Sequence, residues 1–302
     1  MSFSTSSSKF DSVGQRLGAW SGTVAACAFV ILWGSSAIVT RWALDHGSAS
    51  AVLIARYAIA LLVLLAVIGN PRRWLPEPGT RKRIAIAGLV MIAGYSVCYF
   101  ESMSMGITPG MLAVVLGVQP VLTLLLLERR FTAMRLCGLL LALVGLVMVV
   151  WQSLMRTGFD VTGMAFALGA LLCITTGSLL QKRVQQSPQQ VLPLQYIVTL
   201  LVCAAFARVQ PLRWEMNWSF WLPVLFLAIV TSVFAQLLLY RLIQGGNLVN
   251  VTSLFYLVPA VTAGLDFLVL GNAMSALVVL GMVCVLAGVV VVHRKPSSVA
   301  ST

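Results

Sequence analysis

The sequence predicts an all-α integral membrane protein, with ten transmembrane helices arranged as two inverted five-helix repeats. Three observations carry this prediction: a very apolar composition cut into span-length runs, basic residues gathered on one side, and self-similarity at a fixed register. Of 302 residues, 60% are hydrophobic and only 9% are charged. A soluble domain of this size needs far more charge on its surface.

The runs appear in chain order. Stretches free of Asp, Glu, Lys and Arg cover 17–40, 84–100, 102–127, 136–155, 161–181, 184–207 and 216–240. Each approaches or exceeds the roughly 20 residues that cross a bilayer as helix. Region 48–69 is equally apolar apart from Arg56 and counts as a further span. Region 242–293 is twice the length of one span and carries only Asp266, and Gly271 and Asn272 divide it into the last two helices. Helices are the reading for all ten, because an open strand edge in lipid leaves backbone groups unsatisfied.

The net charge of +12 raises nucleic acid as a partner, but the basic residues are sorted by loop. With the N-terminus inside, the inner segments hold Lys9, Arg16, Arg72, Arg73, Arg81, Lys82, Arg83, Arg129, Arg130, Arg135, Lys182, Arg183, Arg241, Arg294 and Lys295. The outer segments hold only Arg41, Arg156, Arg208 and Arg213. The positive-inside rule therefore places both termini in the cytoplasm of an inner (plasma) membrane, with the bilayer and not nucleic acid as partner. Trp20, Trp42, Trp74, Trp151, Trp214, Trp218 and Trp221 fall near predicted helix ends, where amphipathic rings favour the interface, whereas Trp33 lies too deep for that role.

Six cysteines (Cys27, Cys98, Cys137, Cys173, Cys203 and Cys284) lie in apolar segments without paired spacing, so neither a disulfide framework nor a metal site is expected, and no cofactor is implied. Residues 1–16 and 295–302 read as cytoplasmic tails, the first polar and expected to be disordered. The apolar run behind Arg16 is too long for the core of a cleaved signal peptide.

Sliding the chain against itself exposes the repeat. A shift of 139 residues aligns A-V-L-I-A-R-Y (51–57) with Q-V-L-P-L-Q-Y (190–196), and pairs Gly106 with Gly245, Pro120 with Pro259, and Thr123 with Thr262. The last helix of each half repeats as G-L-L-L-A-L-V-G (138–145) and G-M-V-C-V-L-A-G (281–288), at a shift of 143. The halves are bounded at 17–153 and 158–294. Five spans is an odd number, so the second half enters the membrane from the opposite side. Secondary transporters recurrently use inverted repeats with a binding site near the midplane.

From about 22 to 293 the chain resembles EamA-type transporters of the drug/metabolite transporter superfamily. The resemblance rests on W-G-S-S (33–36), A-R-Y around Arg56, Q-P-V-L-T (119–123) and E-R-R-F-T (128–132) before a glycine-rich helix, together with the duplication. It implies a ten-helix carrier whose helices one to four and six to nine enclose a cavity, moving amino acids, other metabolites or toxic compounds, often outward. Two departures stand out. Glu128 follows Pro120 at a shorter distance than in the family pattern, and Gly271-Asn272 stands where that pattern has an acid.

Candidate cavity residues follow from intramembrane polarity. Pro120 and Pro259 each remove a helical hydrogen bond inside a span and can shape a cavity, although neighbouring helices also tolerate such prolines. Trp33, Ser35 and Ser36 of the first span correspond to Ile174, Thr175 and Thr176 of the sixth, and the hydroxyls serve either helix packing or a ligand. Arg56 costs roughly 2.5–3.5 kcal/mol to insert. It has three roles open to it: an ion pair with Asp266 or Glu101, capture of an anionic substrate group, or snorkelling to the surface. Gln195 occupies the equivalent position in the second half. Tyr99, Gln119, Gln236 and Tyr256 are further candidates, as are Tyr95 and Tyr240, and Asp266 is the candidate for proton coupling.

The expected function is a secondary transporter, with export by alternating access, acting on a small metabolite, amino acid or drug-like compound as a monomer or homodimer. A membrane enzyme would need catalytic groups gathered at one depth, whereas His46 and His293 lie at helix ends and no H-E-x-x-H or phosphate-cradling loop is present. A non-transporting scaffold or receptor has no need of Arg56 or of duplicated prolines.

Overall fold

A computed structural model describes residues 7–69, 74–128, 131–155, 160–210, 212–261, 263 and 275–293. Among them, eight helices are long and apolar enough to cross a membrane. In chain order the helices are α1 (Ser7–Asp45, apolar over Val24–Asp45), α2 (Ala49–Ile68), α3 (Arg81–Ser104), α4 (Pro109–Leu127), α5 (Ala133–Val149), α6 (Val161–Lys182), α7 (Pro188–Phe206), α8 (Trp218–Gly245), α9 (Leu248–Val261) and α10 (Ala276–His293). The two shorter ones, α5 and α9, account for the difference from the expected ten. The first is one residue under the length of α10, and the second reaches the edge of the described residues. α1 also begins inside the tail expected to be disordered, with no proline before Arg16 to stop it. No strand occurs among the described residues.

Local sequence sets where the helices start. Ser48, Thr108, Thr132, Asp160, Asn217 and Asn247 each precede a helix and accept a hydrogen bond from a backbone N–H in its first turn. Such residues satisfy donors that would otherwise be orphaned at a helix N-terminus. Pro109 and Pro188 occupy the first helical turns of α4 and α7, where no N–H is needed.

Loop contacts sort the helix ends into two groups. At one end, the α1–α2 turn lies against the α7–α8 loop: Ser48 N–H donates to Arg213 O at 2.7 Å and Glu215 N–H to His46 O at 3.0 Å. Gly47 permits this approach, because a Cβ there would meet the Phe220 ring at 2.5 Å. The same end receives the close of α3, where Gln210 Nε2 donates to Glu101 Oε2 at 2.7 Å, and the start of α6, where Ser102 Oγ donates to Gly163 O at 2.8 Å. At the opposite end, the α2–α3, α6–α7, α8–α9 and α4–α5 connections meet through Glu77, Gln186, Gln244, Glu128 and Asn247.

The apolar faces point two ways. Tyr196, Tyr240, Phe29, Phe100 and Phe220 are fully buried at the centre, while Leu62, Leu126, Leu172, Leu201, Leu222, Phe234 and Leu286 project outward. That outer belt suits hydrocarbon. α5 and α10 pack on each other through glycines: a Cβ on Gly138 would sit 3.0 Å from Gly288 O, and one on Gly145 2.6 Å from Gly281 O. Ascending residues of one helix meet descending residues of the other, so the pair is antiparallel. Small residues let backbones approach closely where lipid removes the usual hydrophobic drive.

Four helices depart from regular geometry at related places. α3 winds as π-helix over Leu89–Gly94, and α8 over Leu227–Ala235. α4 is interrupted between Leu116 and Gln119, and α9 tightens into a 3₁₀ turn at Leu254–Tyr256. A shift of 139 carries each irregularity of the first half onto that of the second.

Candidate functional site

The irregular segments of α3, α4, α8 and α9 converge, with α1, α2 and α6, on a central cavity of about 90 Å³. α1 contributes Trp33, Ser36, Ala37 and Thr40, one face read at helical spacing. α3 contributes Met91, Ile92, Tyr95, Ser96, Tyr99 and Phe100 in the same manner. Arg56 and Tyr57 enter from α2, Ala113, Leu116, Gly117 and Gln119 from α4, and Ile174 from α6. Thr231 and Gln236 of α8 and Phe255, Val258 and Pro259 of α9 complete the wall. α5, α7 and α10 contribute none of its lining.

The cavity is off-centre along the bundle. Pro109, the first residue of α4, Thr40 near the end of α1 and Arg56 in the second turn of α2 lie toward the His46–Ser48 end. Gln119, Ile174 and Gln236 lie near helix middles. Below that level the opposite end is sealed by polar contacts. Lys182 Nζ donates to Ile243 O at 2.6 Å, Gln244 O at 3.0 Å and Gly246 O at 2.6 Å. Gln244 Nε2 donates to Gln186 O, whose side chain in turn bonds Thr80 Oγ1 at 2.7 Å. Arg135 holds Glu128 at 2.6 Å and Asn250 at 2.9 Å, tying the end of α4 to the start of α9.

Arg56 is the one charged side chain in the described lining. Its Nε donates to Ser232 Oγ at 2.7 Å, and that serine donates onward to Leu227 O, within the π-helical stretch of α8. The guanidinium carbon lies 5.2 Å from the Tyr57 ring centroid and 5.8 Å from that of Phe100. Ring faces at these distances attract a cation electrostatically. Tyr57 bonds Ser96 Oγ at 2.6 Å and contacts Tyr196 at 5.4 Å between centroids. Those two tyrosines are equivalent under the 139-residue shift and meet each other. Tyr196 OH donates to Ser232 O, so the π-helical turn holds both partners.

Of the residues singled out from the sequence, Trp33, Ser36, Arg56, Tyr95, Tyr99, Gln119, Gln236 and Pro259 come together in the lining. Trp33 packs between Phe29 and Phe255, joining α1 to α9. The others lie elsewhere. Ser35 Oγ bonds Leu32 O within its own helix, and Thr175 is buried against Leu171 O. Thr176 is exposed on the outer face, bonded to Leu172 O. Pro120 is buried one residue past the interruption of α4. Gln195 sits in a second polar cluster, accepting from Tyr240 OH at 2.6 Å and donating to Gln181 Oε1 and Ile84 O. Tyr256 faces the α5–α10 core, its hydroxyl without a partner among the described residues. Asp266, Gly271 and Asn272 lie outside the described residues.

The pairing of Arg56 with Glu101, one of the readings open from the sequence, is not made. Glu101 turns to Gln210 at the loop, and no carboxylate among the described residues lies within ion-pair distance of Arg56. Sequence reasoning passes over Tyr57, Ser96, Tyr196, Thr231 and Ser232. Tyr57 and Tyr196 are visible within the repeated motif, but π-helical turns leave no compositional mark.

A bundle with a lipid-facing apolar belt and a central aromatic and polar cavity reached by seven helices defines a multi-pass membrane protein with an internal cavity. The chain belongs to the EamA-like transporter family, whose model matches residues 20–151 and again 161–294, as the resemblance read from the sequence implied. It is a membrane transporter of the drug/metabolite transporter superfamily, a group of transporters rather than enzymes. A solved structure described only as "Crystal structure of protein" shares its fold with a TM-score of 0.73 at 20% identity, over 90% of this chain and 97% of that one. No curated protein matches the chain.

Proposed function

We propose that this protein is a secondary exporter of a small organic solute across the inner membrane, working by alternating access between two inverted five-helix repeats at 17–153 and 158–294. The observation that carries this reading is the lopsided cavity: its lining extends toward the His46–Ser48 end, and a hydrogen-bonded seal around Lys182 lies beyond its floor. The inverted arrangement is supported by chain direction, since α1 runs toward the His46–Ser48 end and α6 runs away from it. The paired interruptions of α4 and α9 and the paired π-helical turns of α3 and α8 lend further support. Discontinuous helices at matched positions are a recurrent way for transporters to build a midplane site.

Ten spans with both termini cytoplasmic accord with the basic residues around the Lys182 end, which is then the inner face. On this reading the cavity belongs to an outward-facing state. Asp266 is the proposed proton carrier, as an ionisable residue deep in a predicted span.

Single cysteines at Ser36 and Gln186, in a cysteine-free background in oriented vesicles, test the cycle. Impermeant maleimide added outside labels position 36, a half-buried residue of the cavity wall, at rest, and labelling falls when the carrier is driven inward by an imposed solute gradient, while position 186 gains reactivity from inside. Labelling of both positions independent of any solute, in a protein that moves none of a broad panel of amino acids, nucleosides, polyamines and cationic drugs, refutes the transport reading.

A further inference from the structure

We infer that the solute is a compact organic carboxylate with an apolar body, captured by the Arg56 guanidinium; this deepens the carrier reading and rests on it. Three features of the cavity lead there. The first is charge: Arg56 is buried, it faces the cavity, and the described lining offers no carboxylate to neutralise it. A cation in a span is costly unless an anion or water compensates it. An incoming carboxylate supplies that compensation, whereas an ammonium meets a like charge.

The second feature is orientation. The Nε–H is committed to Ser232 Oγ, and the guanidinium lies beside the rings of Tyr57 and Phe100. No described protein acceptor is bonded to its two terminal nitrogens. A planar fork held by its stem at the cavity wall, with outer donors unbonded to any described acceptor, matches the two oxygens of a carboxylate. Ser232 is a positioning residue in this scheme: it aims Arg56 and does not touch the solute.

The third is the rest of the wall. Trp33, Tyr95, Tyr99 and Phe255 give flat apolar surface, and Thr40, Gln119 and Thr231 give neutral polar groups. Such a wall accepts a ring or branched chain beside the carboxylate.

Three nearly isosteric probes test the inference on the purified full-length protein: benzoate, benzamide and benzylamine, by isothermal titration and by thermal stabilisation. Benzoate is expected to bind at least tenfold more tightly than benzamide, with benzylamine weaker still. Arg56→Gln is expected to abolish the preference for benzoate over benzamide, and Arg56→Lys to retain part of it, because a point charge remains without the fork. Ser232→Ala is expected to weaken benzoate several-fold while leaving benzamide unchanged.

Equal affinity of the native protein for benzoate and benzamide overturns the inference, and that comparison needs no variant to fold. An undiminished preference in Arg56→Gln also overturns it. Flux in proteoliposomes separates this failure from failure of the carrier reading. Movement of benzamide or benzylamine but not benzoate refutes the carboxylate and leaves the carrier standing. Benzoate that binds tightly at Arg56 yet never crosses upholds the inferred ligand and removes the transport reading.

Discussion

Replacing Lys182 with methionine should open the end of the bundle that the structure holds shut. The ammonium caps three carbonyls where α8 ends, on Ile243, Gln244 and Gly246 at 2.6–3.0 Å, and so binds the last turn of α6 to the last turn of α8. Hydrogen bonds to a charged group are worth about 1.5–3 kcal/mol each, and they do not add in full when one donor group makes all of them. The freed carbonyls lie at a helix end, where water can replace the lost partner. A net loss of about 2 kcal/mol from the sealed arrangement is therefore expected, or roughly a 30-fold shift toward the open one. A single cysteine at Gln236, at the cavity's deep edge, reports that shift as faster labelling by impermeant maleimide from the Lys182 end. Arg41 supplies the control, since its Nη1 donates to Met103 O at 3.3 Å at the opposite end. Arg41→Met should leave labelling from the Lys182 end unchanged or slow it. Unaltered labelling and thermal midpoint in Lys182→Met would show that the three bonds are incidental to closure.

Other outcomes concern separate parts of the molecule. Gly145→Leu or Gly281→Leu forces a side chain against carbonyl oxygens 2.6 and 2.7 Å from the Cβ position, and should lower the thermal midpoint by an amount corresponding to at least about 1–3 kcal/mol, the usual cost of overpacking, without altering ligand preference. Glu215, in the α7–α8 loop, is held below its ordinary carboxylate value of 4.5 by the Asn217 amide and then by His46. Its contribution to stability is complete above pH 4.5 and is lost as pH falls through the lowered value, so Glu215→Gln should flatten the acid limb of a melting-temperature profile, lying below the native protein at neutral pH and converging with it at low pH. Asp266→Asn should uncouple flux from a pH gradient while leaving exchange of solute intact; equal flux with and without the gradient in the native protein removes the proton from the scheme.

The bundle was legible in the sequence because its strongest signals, apolar run length and the repeated register, follow from the need to cross lipid as helix and from duplication. The site was legible in part. Arg56, Trp33 and Gln119 stood out as polar or amphipathic groups at depths where lipid penalises them, and all three line the cavity. Thr176 and Tyr256 carried the same kind of signal, yet one faces outward and the other the α5–α10 core. A polar residue in an apolar run fixes depth but leaves helical phase undetermined, and phase decides between cavity, core and lipid. Near a break, phase is lost altogether. The π-helical turn over Leu227–Ala235 changes the angular position of the side chains along it, and that change sets Ser232 beneath Arg56 from 176 positions away.

Specificity arises where the two halves differ rather than where they match. The proposed duplication supplies matched interruptions, and such a scaffold by itself gives two similar ends. The equivalent positions 56 and 195 break that likeness. Arg56 reaches the cavity with its fork open, whereas Gln195 is consumed by Tyr240, Gln181 and the Ile84 carbonyl. Gln195 also fills the space beside Gly88, where a Cβ would meet its side chain at 2.5 Å. One position therefore offers a charge that no described carboxylate neutralises, and its counterpart is locked into packing between α3 and α7. An arginine at 195 would bring a second cation into a region whose acceptors are already shared among neutral groups, at a cost of several kcal/mol. Glutamine at that position keeps the Gln181–Gln195–Tyr240 cluster neutral and leaves Arg56 as the one charged side chain in the described lining, so under the proposed function an anion is held from one half of the chain.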